Sequence, residues 1–342
     1  MAVTLADVAE LAGVDRSTVS KVLAESRDVR VREETRLRIL GAANQLGYRP
    51  NGMARALRTN RSRTLGLVLP RLDNPVFSDM INGVEAAARA RGFSTLIRRI
   101  SGANGREAFA HMVTANQVDG VLVISFDSDR ELEDALTGLP VPVVMINRRA
   151  VNGAGYVVHD SIRAAEMATR YLIDMGHRRI LHLAGRSDGF NGSQRLAGYR
   201  AALQAAGLAF DESLVLTVGY DPELAATALA DYLQRLAPGT ERPTAVFAAT
   251  LVTAAGALRT LHQCGFELPR DFSVIALNDG LLASLVFPQL TTVALHSAEM
   301  GSRAAAMLID QIVDNQQARV EILQPGELVV RGSVAPPPDL PA

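Results

Sequence analysis

The stretch VTLADVAELAGVDRSTVSKVL, residues 3–23, decides how the chain begins to fold. Apolar residues recur there at the i, i+3, i+4 and i+7 spacing of a helix that buries one side: Leu5, Val8, Ala9 and Ala12. Gly13 supplies the backbone freedom that a tight turn after this helix needs. Asp15 is placed to cap a second helix, whose apolar positions are Val19, Val22 and Leu23. The pattern predicts two short helices joined by a glycine-containing turn, which is a helix-turn-helix.

The second predicted helix carries polar side chains that can hydrogen-bond to base edges or phosphates in a DNA major groove. They are Arg16, Ser17, Ser20 and Lys21. Residues 1–63 contain twelve Arg and Lys against seven Asp and Glu, a net charge of +5, whereas the remainder carries −6. A basic segment suits a polyanion, because neutralised phosphates release counterions. A solvated basic helix face is the alternative, and the helix-turn-helix pattern favours DNA.

The next segment, RPNGMARALRTNRSR at residues 49–63, has two interpretations. Its proline, glycine and arginines are typical of a flexible tether. Alternatively, Asn51 caps a short helix with Met53, Ala54 and Leu57 on one side.

From Leu65 onward, short apolar runs alternate with helical stretches. Ten strand candidates run from residues 65–69 to residues 292–295, and helices such as 76–91 and 194–206 fit between most of them. This alternation predicts parallel sheets covered on both faces, and so many strands favour two doubly wound lobes. Ligands of such folds bind at the carboxyl ends of strands, where lobes meet.

Composition bounds the class of protein. The 342 residues are 48% hydrophobic, which indicates a globular chain of two or three domains. The longest apolar runs, GVLVIS and PVPVVMI, are too short to span a bilayer, and the N-terminus lacks the pattern of a secretory leader. We therefore expect a cytoplasmic protein with no membrane partner. The single cysteine, Cys264, cannot form an intramolecular disulfide or supply a metal cluster.

Motifs for catalysis are missing from the sequence. It has no G-x-S-x-G elbow, no phosphate-binding G-x-x-x-x-G-K-[ST] loop and no G-x-G-x-x-G after a strand. The glycines of GRSDGFNG, residues 185–192, have the wrong spacing, and no two of the six histidines have metal-ligand spacing. We expect no catalytic residue, metal or cofactor. His159 lies at a predicted strand end and is a candidate for lining the cleft.

The opening TLADVAELAGVDRSTVSKVL, then Thr35 and Arg36, then LGYRPNGMARALR resembles the headpiece of the LacI/GalR transcription regulators. The resemblance continues, in order, through GLVLPRLDNPVFSDMINGVEAAARARGF, DGVLVIS, MGHRRILHLAG, RLAGYRAAL, FSVIALND and LTTVAL. It implies a small all-α helix-turn-helix headpiece and a periplasmic-binding-protein-like α/β core of two doubly wound parallel-sheet lobes, between which the chain crosses three times. The implied boundaries are 1–48 for the headpiece, 49–63 for a hinge helix and linker, and 64–342 for the core, with lobe 1 at about 64–159 and 292–322 and lobe 2 at about 160–291 and 323–335.

The resemblance also assigns DNA contacts residue by residue. They are Thr4, Arg16, Ser17, Thr18, Ser20, Lys21, Thr35, Asn51, Ala54 and Leu57. Leu57 aligns with a leucine that wedges into the minor groove when the hinge helix folds on the operator, and Ala54 with the small residue that lets two hinge helices approach. Gly52 departs from the family pattern and is a poor helix former.

The effector-binding residues that the resemblance implies are Phe77, Asn147, His159, Arg195, Tyr220 and Asn278. The guanidinium of Arg195 suits vicinal hydroxyls or a carboxylate, whereas a surface salt bridge is the plain alternative. A core position is an equal alternative for Phe77. Four positions depart from sugar-binding members of the family: Thr250, Leu251, Leu295 and His296.

These observations predict a ligand-responsive, sequence-specific DNA-binding transcriptional regulator, a repressor of carbohydrate or sugar-acid metabolism genes. Its expected partners are a pseudo-palindromic double-stranded DNA operator, a small-molecule effector (a sugar, sugar acid or sugar phosphate) and a second copy in a homodimer. The proline-rich VAPPPDLPA at residues 334–342 lacks the heptads of a tetramerising coiled coil, so we expect dimers. Arginines at or near strand ends favour an anionic effector: Arg71, Arg98, Arg99, Arg148 and Arg195. The alternative, for all of them except Arg195, is that they are solvated or pair with the surplus acidic residues of the core. A solute-binding protein and an α/β enzyme with a fused regulatory head are the alternatives.

Overall fold

The computed structural model of the chain describes residues 3–23, 31–48, 61–70, 74–99, 111–124, 136, 138–150, 153–237 and 241–338. The chain divides into two compact units, Met1–Ser62 and Arg63–Ala342. The smaller unit is helical, and the larger unit contains two six-stranded sheets. Within the described ranges, no helix is long and apolar enough to cross a membrane.

The first unit is built from α1 (Leu5–Ala12), α2 (Arg16–Leu23) and α3 (Glu33–Gln45). Gly13 adopts a left-handed φ of 64° in the turn, a conformation that glycine takes without strain. Asp15 caps α2, since its carboxylate accepts a hydrogen bond from the Thr18 backbone N–H at 2.9 Å. The three helices share one apolar cluster of buried residues: Val8, Ala9, Ala12, Val19, Val22, Ile39, Ala42 and Ala43. The predicted helix-turn-helix is therefore present, and α3 closes its core.

The first lobe of the larger unit is a sheet of six parallel strands in the order β11-β5-β4-β3-β1-β2. Its elements are β1 (Thr64–Leu69), α4 (Pro75–Ala90), β2 (Ser94–Arg99), β3 (Gly120–Ile124), β4 (Val143–Ile146), β5 (Gly155–His159), α10 (Ser297–Asp314) and β11 (Val320–Leu323). Apolar clusters lie on both faces of this sheet. Burial on both sides explains why its central strands are continuous apolar runs.

The second lobe is a sheet in the order β12-β10-β9-β8-β6-β7, parallel except where β12 pairs antiparallel with β10. Its elements are α5 (Ser161–Asp174), β6 (Ile180–Ala184), α6 (Phe190–Ala205), β7 (Val215–Thr217), α7 (Pro222–Arg235), β8 (Ala245–Ala248), α8 (Leu251–Gln263), β9 (Ser273–Leu277), α9 (Leu281–Leu285), β10 (Thr291–Val293) and β12 (Leu328–Val329). Apolar clusters again cover both faces. The two doubly wound lobes expected from the sequence are thus confirmed.

The chain passes between the lobes three times: between β5 and α5, between β10 and α10, and between β11 and β12. The number agrees with expectation, but two boundaries need correction. Val293 pairs with Leu277 in the second sheet, so the second crossing follows Val293 instead of preceding residue 292. Leu323 pairs with His159 in the first sheet, so the third crossing comes one residue later than expected. Strand pairing sets both boundaries, and an apolar run such as LTTVAL does not reveal which sheet it joins.

Candidate DNA-reading helix and interlobe effector site

The DNA-facing candidates of the first unit lie on and around α2. Arg16 and Lys21 are exposed and form no ion pair with the part of the chain that the structure describes. The hydroxyls of Ser17 and Thr18 both donate to the Asp15 carboxylate, at 2.5 and 2.7 Å. These hydrogen bonds hold the pKa of Asp15 well below its usual range. The carboxylate stays ionised at the helix N-terminus, and the two hydroxyl protons are committed to the cap.

Three other candidates either use their hydroxyl in a helix cap or are half-buried. The Thr4 hydroxyl donates to Asp7 at 3.0 Å in a capping box at the start of α1. Ser20 in α2 and Thr35 in the first turn of α3 are half-buried. The hinge candidates Asn51, Ala54 and Leu57 lie outside the described residues.

A cavity of about 230 Å³ lies between the two lobes. Its first-lobe wall comes from the start of α4 and α10, and its second-lobe wall from the start of α8, the residues directly after β9 and the start of α9. The lining residues are Pro75, Val76, Ser78, Asp79, Leu251, Asn278, Asp279, Gly280, Leu281, Leu282 and Ser297. The carboxyl ends of strands therefore meet at this cavity, which is where ligands of such folds bind.

Asn147 and Asn278 occupy equivalent strand-end positions in the two lobes. Both adopt left-handed φ values, 61° and 69°, directly after β4 and β9. Asn278 is 4% exposed and lines the cavity. The backbone carbonyl of Asn147 accepts a 2.6 Å hydrogen bond from the Asn191 side-chain amide of α6. This bond joins the lobes directly.

Arg195 projects from α6 and is only 3% exposed. Its Nη1 donates to the Ala249 carbonyl at 2.6 Å, and its Cζ lies 5.8 Å from the centroid of the Tyr220 ring. Burial lowers the pKa of Arg195. No carboxylate of residues 61–70, 74–99, 111–124, 138–150, 153–237 or 241–338 forms an ion pair with it. The surface-salt-bridge alternative for Arg195 is therefore wrong, because its guanidinium is a buried cation in need of acceptors. Arg195, His159, Tyr220 and Asn147 are not among the residues that line the 230 Å³ cavity.

His159 ends β5 at the first crossing and is 3% exposed. Neither of its ring nitrogens has a hydrogen-bond partner among the described residues, and the same is true of the Ser161 hydroxyl and the Asn191 Oδ1. Burial first, and then the charge of Arg195 and the nearby His296, lower the pKa of His159 to about 3. His159 is therefore neutral at physiological pH and offers one donor and one acceptor.

The remaining effector candidates, Phe77 and Tyr220, lie in different surroundings. Phe77 packs in the first-lobe core beside Met80 and does not line the cavity, which agrees with its core alternative. Tyr220 lies so close to Gly185 that a Cβ there would be 2.7 Å from the tyrosine hydroxyl oxygen. This close approach holds the ring beside Arg195.

The strand-end arginines are not gathered into one site. Arg99 is exposed and donates to the Pro70 carbonyl at 3.2 Å, and Arg98 lies beside it on the edge strand β2. Arg148 is buried after β4 and has partners of its own. Arg71 lies outside the described residues.

Sequence reasoning missed Asp79, a half-buried carboxylate on the cavity wall whose pKa is raised by burial. The sequence signal that could have predicted Asp79 as a site residue is its position two residues after the candidate Phe77 in α4. Asp279 also lines the cavity, but Arg331 binds it bidentately at 2.7 and 3.0 Å. Asp79 is thus the carboxyl group of this wall that has no ion pair among the described residues.

Comparison with known proteins agrees with this architecture. The family model for bacterial regulatory proteins of the lacI family matches residues 4–51, and that for a periplasmic binding protein-like domain matches residues 169–334. The HTH-type transcriptional repressor PurR of Vibrio campbellii is 34% identical over 97% of this chain and 98% of its own. The ribose operon repressor of Escherichia coli strain K12 is 32% identical over 93% and 96%. A solved structure of a transcriptional regulator CelR–cellobiose complex has 33% identity and a TM-score of 0.73 over 97% of this chain and 99% of its own.

A helix-turn-helix unit joined to a two-lobed core with an interlobe cavity defines a ligand-responsive, DNA-binding transcriptional regulator. Operator DNA, a small-molecule effector and a second copy of the chain are the partners of such a regulator. The chain belongs to the lacI family of bacterial regulatory proteins.

Proposed function

We propose that the chain is a cytoplasmic repressor of carbohydrate or sugar-acid metabolism genes, controlled by an anionic carbohydrate derivative bound between its lobes. The buried guanidinium of Arg195 carries the assignment of the ligand. It has one hydrogen bond, to Ala249, and no carboxylate partner in the described core. A buried charge is costly until it is paired, and a ligand carboxylate or phosphate supplies the counter-charge. Because its relatives are transcriptional repressors, the proposal contains no catalytic step.

The other groups of the site suit the hydroxyls of such a ligand. His159 and the amide of Asn278 each offer a donor and an acceptor, and Ser78 and Ser297 add hydroxyls to the cavity wall. A carboxyl oxygen of Asp79 can accept a hydrogen bond from a sugar hydroxyl. A sugar acid or sugar phosphate combines an anionic end for Arg195 with a hydroxylated body for these groups.

Isothermal titration calorimetry on the full chain tests this ligand class with gluconate, glucose and glucose 6-phosphate as probes. We expect the acid or the phosphate to bind and glucose to give no heat. Arg195→Ala should abolish binding, whereas Arg200→Ala should not, because Arg200 is exposed on the same helix and stacks on Phe210. Binding of glucose alone, or full binding by Arg195→Ala, contradicts the assignment.

The effector cavity is adjacent to a surface that suits the dimer. Large apolar side chains are exposed at the start of α7, along α9 and in the loop after it: Leu224, Leu281, Leu285 and Phe287. Exposed apolar patches of this kind mark interaction sites, and two helix-turn-helix units raise affinity for paired half-sites. We assign this patch to contact with a second copy. Since α9 also lines the cavity, a ligand that moves α9 changes the dimer contact and the spacing of the two DNA-binding units.

Sedimentation velocity tests the dimer surface. Leu285→Asp should convert the dimer to monomer and weaken operator binding. Val313→Asp is the matched control, since Val313 is an exposed apolar residue on α10. A Leu285→Asp protein that remains dimeric refutes the assignment.

A further inference from the structure

Two buried polar atoms of the second lobe, the His182 Nε2 and the Arg195 Nε, lack hydrogen-bond partners among the described residues. His182 lies in the middle of β6, and Arg195 lies in the second turn of α6. Burying a polar atom without a partner is costly, so native proteins rarely leave two such atoms in one core. Their chemistry is complementary only if one of them donates and the other accepts.

The tautomer of His182 is fixed by its other nitrogen. Nδ1 lies 2.9 Å from the Phe247 carbonyl oxygen. A carbonyl oxygen can only accept, so Nδ1 carries the proton and donates it. Burial lowers the pKa of His182 to about 4, so the ring is neutral at physiological pH. The Nε2 atom is therefore a bare acceptor, while the Nε–H of Arg195 is a donor.

The surrounding contacts bring the His182 ring against the side of α6 that carries Arg195. The His182 ring stacks on Phe247 and faces α6, where it also stacks on Tyr199 with centroids 5.2 Å apart. Arg195 precedes Tyr199 by four residues and so lies on the same side of α6, one turn nearer the cleft. Its Nη1 is held at the Ala249 carbonyl, just beyond the end of β8, the strand that pairs with β6.

We propose that one buried water joins the Arg195 Nε–H to the His182 Nε2, accepting from the first and donating to the second, and thereby fixes the guanidinium for the effector. His182 is then a positioning residue, and its role for the ligand rests on the proposed function of Arg195. Nη1 is held by Ala249 and Nε by the water that His182 binds. Nη2, which has no partner in the described ranges, is left for the ligand. The anionic group of the ligand therefore binds at the Nη end of the guanidinium and not along its Nε edge.

A double-mutant cycle tests the pairing in the full-length protein without DNA or ligand. His182→Phe keeps the stacked ring and removes the acceptor, and Arg195→Met keeps the aliphatic stem and removes the donor. We expect the effect of Arg195→Met on the folding equilibrium constant, measured by urea unfolding, to differ about tenfold or more between the wild-type and His182→Phe backgrounds. In the His182→Gln background, which retains an acceptor, Arg195→Met should change the folding equilibrium constant as much as it does in the wild-type background. Tyr199→Phe should leave it unchanged, because it removes only the bond to the Ile180 carbonyl.

Nitrogen-15 NMR of histidine-labelled protein supplies a measurement that does not depend on the stability of His182→Phe. The wild-type spectrum should show His182 with a protonated Nδ1 and a hydrogen-bonded Nε2, and Arg195→Met should move Nε2 to the frequency of a free acceptor nitrogen. An additive cycle, or an Nε2 resonance that Arg195→Met does not move, overturns the pairing. Neither experiment uses an effector, so their outcome is independent of whether calorimetry supports the anionic ligand.

Discussion

Replacing Gly301 by alanine should destabilise the first lobe, because α4 and α10 cross there in direct backbone contact. A Cβ built on Gly301 lies 2.1 Å from the Met80 carbonyl oxygen and 3.1 Å from the Val84 nitrogen. Gly83 makes the reciprocal contact, with a Cβ only 1.9 Å from the Ala298 carbonyl oxygen. Ordinary contact begins at 3.4 Å, so the substitution must separate the helices by roughly 1.3 Å at this point.

The size of the effect follows from two opposing contributions. Overpacking costs about 1–3 kcal/mol, and the upper end applies where the opposing atoms are backbone and cannot rotate away. Alanine is a better helix former than glycine by about 1 kcal/mol, which offsets part of that cost. The net expectation is a loss of about 2 kcal/mol in the free energy of unfolding, which is a fall in Tm of roughly 4–8 °C for a domain of this size.

Calorimetry and urea unfolding of the full chain measure this change. Gly41→Ala is the matched control, because Gly41 lies within a helix, α3, and a Cβ there would have no heavy atom within 4 Å. We expect the control to stay close to the wild-type Tm. A Gly301→Ala protein with wild-type stability would show that the helices separate freely and would refute the reasoning.

Three further outcomes are expected. Arg16→Ala should weaken binding to the cognate operator by about 1–3 kcal/mol and relax the base preference at one symmetric position. An equal loss of affinity on all sequences in a binding-site selection would make Arg16 a phosphate contact instead. Leu57→Ala should reduce DNA bending in a circular-permutation gel assay while leaving effector affinity unchanged, and unaltered bending would exclude the wedge. Lowering the pH from 7 to 5 should reduce the free energy of unfolding. Burial lowers the pKa of His159 from 6.5 to about 3 and that of His182 to about 4. Between pH 7 and 5 these two histidines therefore take up protons only when the chain unfolds. His182→Gln should make that loss smaller, and an unchanged pH slope in urea titrations would count against burial of the neutral ring.

Local patterns were enough to predict most of the fold. The helix-turn-helix followed from apolar spacing, from Gly13 and from the Asp15 cap, all of which act within one or two helical turns. Central strands were predictable because burial on both faces makes them continuous apolar runs. The edge strands β11 and β12 were missed for the converse reason, since their residues are at most partly buried.

The candidate site was predicted less completely than the fold. Asn147 and Asn278 were chosen from the family resemblance and His159 from its place at a predicted strand end, and their roles at the site stay predictions. Asp79 and His182 were missed because a carboxylate on a helix and a histidine within a strand have no local pattern that distinguishes function from structure. The proposed roles of all these residues rest on what surrounds them.

The sequence by itself determined the class of this protein: a basic helix-turn-helix unit, an α/β core and a set of family motifs that extends along the chain. Periodicity, capping and charge depend on residues that are close together in the chain, so the amino-acid sequence alone is enough to predict them. Only the tertiary structure decided that Arg195 is buried with no carboxylate partner among the described residues, and that the His182 ring stacks on Tyr199 of the same helix. It also decided which sheet each returning strand joins. These features depend on contacts between residues far apart in the chain, where burial and hydrogen bonding are set by the packing of whole elements.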